Sequence, residues 1–187
     1  MNNSQVTPDD LWDFAEQFWK SDDRSGPLWS VFDPIGLLPC DNGPTTSPPF
    51  PKLAHLFAST GGDGVHFSLL RQENSASLAE LPVLMTVPMA FEQANWIVGA
   101  NLHEFLCLGC RTGFFSLEGI AYDDLRDSEL QGLASKYEPH QDQVPILSAL
   151  RKRFELHPWD EIPNRIAALQ ELYRPHIGEL NPWLADE

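Results

Sequence analysis

Basic residues are scarce in this chain. Twelve lysines and arginines stand against 27 aspartates and glutamates, a formal net charge of −15. The excess is spread along the sequence: −5, −4 and −6 over residues 1–60, 61–120 and 121–187, from eight acids against three bases, six against two and thirteen against seven. A field of that sign repels nucleic acid and anionic lipid and speeds encounter with a basic protein, though it also serves plain solubility. Cysteine is equally sparse. Cys40, Cys107 and Cys110 are an odd set of three, unlike the framework of a disulfide-stapled secreted protein. The opening "MNNSQVTPDD" has neither a basic n-region nor an apolar h-region. No run approaches the roughly 18–20 apolar residues of a membrane span. A cytoplasmic location is the resulting expectation. The G-x-S-x-G nucleophile elbow is missing as well.

Aromatic residues and proline are plentiful. Eleven phenylalanines and six tryptophans in 187 residues supply a sizeable core, and sixteen prolines punctuate it. In "TPDDLWDFAEQFWK", Thr7 is an N-cap, Pro8 suits the first helical position, and Asp9 and Asp10 complement the dipole. Leu11, Phe14, Ala15 and Phe18 then recur at helical spacing. The proline- and glycine-rich stretch from Leu28 to Pro51 reads as a short helical turn and an irregular connection. "PFPKLAHLFAST" has Leu53, Leu56 and Phe57 three or four apart and predicts a short helix, followed by the turn "GGDG". "VHFSLL", "LPVLMTVPM" and "NWIVG" read as three strands, the second confined between Pro82 and Pro88. Asn101 caps a helix over "NLHEFLCLGCRTG", with Glu104 reaching back to the cap's own N–H. Helices are expected at about 123–136, 145–156 and 162–173. The fold class is α+β: a mainly antiparallel sheet with helices packed on one face, a core over residues 50–120, and helical N- and C-terminal extensions over 1–49 and 121–187, all in one domain.

Chemistry is harder to find. A phosphate-binding glycine loop follows a strand and opens a helix, whereas "GGDG" follows an expected helix and opens a strand. It reads as a turn. His103, Cys107 and Cys110 fall at i, i+4 and i+7 of one expected helix, a spacing that suits either zinc or simple packing. "HEFLC" lacks the second histidine of a zinc-protease motif. No catalytic residue, cofactor or metal is expected. The acidic doublets Asp123-Asp124 and Asp160-Glu161, with Trp159 beside the second, are the candidate partner-binding residues, since aromatics in an acidic rim suit a protein contact.

Two stretches resemble a known family. "FPKLAHLFASTGGDG" is similar to the opening of the SUKH superfamily, immunity-like domains that share a fold with a fungal cell-wall assembly regulator. "NWIVGANLHEFL" is similar to its later strand-to-helix junction, with Phe105-Leu106 as the Phe-Leu pair. The likeness covers little more than a third of the chain, and residues 1–49 and 121–187 have no counterpart in it. It implies a non-enzymatic α+β domain that binds and neutralises a toxin protein. The expectation is therefore an acidic module covering a basic partner protein. The alternatives are a small cytosolic enzyme using His66 or Cys107/Cys110, and a scaffold that self-associates through its tryptophan-rich N-terminal helix.

Overall fold

The computed structural model describes residues 5–21, 27–44, 49–71, 77–91 and 93–181. Five strands, β1 (Leu38–Pro44), β2 (Ala54–Ser59), β3 (His66–Leu70), β4 (Val83–Thr86) and β5 (Asn95–Gly99), form one antiparallel sheet in the order of the chain. The α+β class is as expected, but the sheet has two strands more than the pattern predicts. β2 occupies the stretch read as a helix. A bulge between Leu56 and Ala58 breaks the alternation there, so that Phe57 and Ala58 both join the main core. That irregularity, with Leu53 41% exposed, produces the three- and four-residue spacing that imitates a helix. β1 lies in the stretch read as irregular. It too is bulged, between Pro39 and Gly43, and it tolerates its prolines because it is an edge strand. The sheet thus begins before residue 50.

Five α-helices accompany the sheet among the described residues: α1 (Pro8–Ser21), α2 (Leu102–Gly109), α3 (Arg126–Gln131), α4 (Gln143–Phe154) and α5 (Ile162–Tyr173). Single helical turns at Leu28–Ser30 and Asp33–Ile35 join α1 to β1. Thr7 and Asp10 cap α1 reciprocally: the Thr7 hydroxyl and amide donate to the Asp10 carboxylate at 2.6 and 2.9 Å, and the Asp10 amide donates to the Thr7 hydroxyl at 3.3 Å. Those bonds hold the Asp10 carboxyl below its ordinary range. α2 begins where Asn101 accepts from the Glu104 amide at 2.8 Å. The Glu104 carboxylate reaches one residue further back than expected and accepts from the Ala100 amide at 2.6 Å.

One face of the sheet carries Phe57, Phe67, Leu69, Val83, Met85, Trp96 and Val98, and the main core closes over it with α1, α2, α4 and the segment Phe114–Ala121. Phe105 of α2 is its centre, with ring centroids 6.0, 4.8 and 4.7 Å from those of Phe57, Phe67 and Phe114. A smaller cluster on the other face joins Ala54, Leu70, Leu84 and Ile97 to Leu169 and Ile177. α5 runs along β5 and contributes to both clusters, Ile162 and Ile166 to the first and Leu169 to the second. Its Gln170 side chain behaves like an extra strand residue. The amide oxygen accepts from the Ile97 N–H at 3.1 Å, and the amide nitrogen donates to the Ile97 carbonyl at 2.7 Å. The β5 edge is thereby closed to another chain at that point. A short pairing of residues 50–52 with 179–181 brings the chain after α5 back to the segment just before β2.

Candidate functional site

"GGDG" is a hairpin turn between β2 and β3, preceded by a strand and not by a helix. The Thr60 amide donates to the Val65 carbonyl and the Val65 amide to the Gly62 carbonyl, both at 3.1 Å. Gly61, Asp63 and Gly64 all have positive φ, at 82°, 50° and 70°, the conformations that glycine and aspartate adopt most cheaply. Asp63 lies near enough to Glu118 and Tyr122 to push both their pKa values up, although burial is the larger cause for each.

The other sequence candidates for chemistry are taken up by packing. His103 donates through Nε2 to the Phe154 carbonyl at 3.1 Å, which ties α2 to the end of α4. Its Nδ1 is then the acceptor, 3.8 Å from the Cys107 sulfur. Cys107 and Cys110 are buried in the main core. Burial, then the neighbouring Cys107, pushes the Cys110 thiol from its ordinary 9.0 up to about 12. It stays protonated at neutral pH, and a protonated thiol is a poor nucleophile. Among the described residues no three His, Cys, Asp or Glu side chains are placed to share a metal ion. His66 turns its Nδ1 to the Gly64 carbonyl at 2.6 Å and its ring edge-on to Phe50.

A pH signature follows from Cys110. Its thiol ionises more readily in the unfolded chain than in the folded one, so its contribution is intact below about pH 9 and lost as pH rises toward 12. Urea unfolding across that window is expected to show stability falling more steeply in the parent than in Cys110→Ala. Equal slopes would mean that the thiol is not desolvated.

Three of the five candidate partner-binding residues converge. Trp159, Asp160 and Glu161 line an open cleft of about 440 Å³ together with Glu104, Asn164 and Arg165. The chain reaches it by a sharp reversal. α4 ends at Phe154, and Glu155 takes a left-handed conformation with φ 53°. After "LHPW", Glu161 stands at the start of α5 and Pro163 fills its first turn. The half-buried Trp159 ring packs against both core clusters, and its indole N–H donates to the Glu104 carbonyl at 3.2 Å. Glu104 also engages Arg165, the only cation among the described residues lining the cleft, at 2.6 Å. Glu161 accepts from the Asn164 side chain at 2.9 Å, and Asp160 is exposed with no hydrogen bond or ion pair among the described residues.

The result is a fixed aromatic ring beside carboxylates whose local cation is already taken. A lysine or arginine side chain placed there would meet the ring by cation–π attraction and the carboxylates by charge-assisted hydrogen bonds. Asp123 and Asp124 do not line this cleft. Asp123 pairs with Arg126 at 2.6 Å, and the Arg126 guanidinium lies over the Trp96 ring, 4.4 Å from its centroid. Asp124 is exposed and has no side-chain partner among the described residues. Glu104 and Arg165 were not singled out from the sequence as site residues. They lie 61 positions apart, and the local pattern marks Glu104 only as a capping residue.

Comparison with family models, curated proteins and solved structures finds no match to this chain. No described helix is long and apolar enough to cross a membrane.

Proposed function

We propose that this chain is a non-catalytic, cytoplasmic protein-binding module of the immunity-like kind that the SUKH resemblance implies. In this reading it neutralises a basic partner, a toxin domain, by covering it with an acidic surface. The observation that carries the reading is the Trp159 cleft. A ring anchored by Glu104 is bordered by Asp160 and Glu161, and the sole lining cation, Arg165, is paired. Trp159 supplies the affinity as an aromatic anchor, while the carboxylates and the net charge of −15 chiefly raise the association rate. Burial of Cys107 and Cys110 supports a packing role for both over thiol chemistry.

The test is association with the polypeptide encoded by the neighbouring reading frame, followed by stopped flow. The rate is expected to fall roughly tenfold or more between about 10 and 150 mM salt, as the screening length shortens from about 30 to 8 Å. Replacing Asp160 by Asn and Glu161 by Gln together should slow association several-fold. Trp159→Ala should speed dissociation about thirtyfold. A rate indifferent to salt and to these substitutions would remove the reading.

A further inference from the structure

A strongly apolar concavity lies at the other end of the sequence. Trp12 and Ala15 of α1, Leu28, Trp29 and Val31 of the following turns, and Pro39 of β1 line a groove of about 470 Å³. Among the described residues, no charged side chain lines it. Ala15 and Val31 form a floor only 3% exposed, whereas Leu28 and Trp29 stand as walls with 41% and 55% of their surface open. Single exposed apolar residues are ordinary, but two large ones flanking an apolar cleft are a contact surface without its partner.

Acidic residues outnumber basic ones on α1, where Lys20 is one turn beyond Glu16. Asp9 and Glu16, three residues before and four after Trp12, share its side of α1. Asp9, Asp13 and Asp33 are exposed, and their side chains make no hydrogen bond or ion pair among the described residues. Glu16 is paired with Lys20, the only base on α1. A second copy of the chain would bring the same carboxylates against these, and nucleic acid or an anionic bilayer would be repelled likewise. An apolar segment flanked by lysine or arginine meets both requirements: its side chains fill the groove and its cations face the rim.

We propose that this groove docks an amphipathic, lysine- or arginine-rich helical segment of a partner protein, whose apolar side chains seat between Trp12 and Trp29. It uses none of the residues of the Trp159 cleft, so the two readings stand or fall separately.

The experiment titrates the full chain calorimetrically with a synthetic peptide of about fourteen residues, leucine at i, i+3, i+4 and i+7 and lysine elsewhere. A second peptide replaces every lysine by glutamate. The lysine peptide is expected to bind and the glutamate peptide not to. Trp29→Ala, at a position open enough to leave the fold intact, should weaken binding about thirtyfold. Replacing Asp9 and Asp13 by Asn should weaken it several-fold at low salt, and Trp159→Ala should leave it unchanged. Equal binding of both peptides, or no binding of the lysine peptide, would overturn the proposal. So would loss of binding in Trp159→Ala with none in Trp29→Ala. A chain that sediments as a dimer and is dissociated by Trp29→Ala would overturn it too, by giving the groove to a second copy.

Discussion

Phe105→Ala is expected to remove about 4 kcal/mol of folding stability and to lower the melting temperature by about 10 °C. The ring is fully buried and touches three others, Phe57, Phe67 and Phe114. Little nearby can collapse into the space it would leave. The backbone on its strand side is already in close contact: a Cβ added at Gly99 would stand 2.7 Å from the Phe105 amide nitrogen. On its helical side, a Cβ at Gly109 would meet the Phe114 ring at 2.2 Å. Both glycines are therefore where two layers approach as closely as backbone and ring allow, and a cavity between them stays open. Phe105→Leu keeps most of the volume and should cost roughly 1–2 kcal/mol. Urea unfolding with both variants is the measurement. An alanine variant within about 1 kcal/mol of the parent would show that the aromatic cluster is loosely packed. The same substitution reaches the candidate site, because the neighbouring Glu104 holds both the Trp159 indole and Arg165.

Gln170→Leu is expected to cost about 3 kcal/mol although the side chain is replaced by a good helix former of similar size. The loss comes from strand β5, not from helix α5. Ile97 is fully buried, and removing the amide leaves its outward N–H and C=O without partners at roughly 1–3 kcal/mol for each. Gln170→Glu distinguishes this from simple packing. A carboxylate can accept from the Ile97 N–H but cannot donate to the Ile97 carbonyl, so it should destabilise about as much as leucine. Hydrogen exchange at the Ile97 amide should accelerate in the leucine variant relative to the rest of β5. Unchanged protection there, with parental stability, would mean that the edge is closed by α5 as a whole and not by this amide.

Local signals made some elements legible and concealed others. β3 was readable because its apolar residues alternate, β4 because proline bounds it on both sides, and β5 as a short apolar run ending at Gly99; none of these signals needs any knowledge of the partner strand. α1 and α2 were readable from their caps, where Thr7 and Asn101 satisfy amides within three residues of themselves. β2 was not. Its bulge puts Phe57 and Ala58 on one face, and a break in a strand's period looks like the period of a helix. β1 was hidden for a related reason. An edge strand keeps one side unpaired by the sheet and so admits Pro39, Pro44 and Gly43, residues that a single-sequence reading assigns to loops.

The candidate site divides in the same way. Trp159, Asp160 and Glu161 were visible as an aromatic next to acids in a proline-bounded loop. Their distinction from Asp123 and Asp124 was not visible, because it depends on where the cations lie. Arg126 sits three residues after Asp123 and neutralises it, whereas Arg165 is drawn away by Glu104 from a different helix. The pairing of Asp123 is local, whereas only a contact across 61 residues decides that Arg165 is held by Glu104 and not by Asp160 or Glu161.

By itself, then, the sequence determined the sign of the surface, the α+β class, the caps and the strands β3, β4 and β5, since composition and short-range patterning are enough for these. Tertiary structure alone decided that a proline-rich connection becomes an edge strand and that a glutamine closes the opposite edge. It also decided that one acidic doublet borders a cleft while the other does not. In each case the deciding partner is far away in sequence, and pairing, desolvation and charge neutralisation act through distance in space.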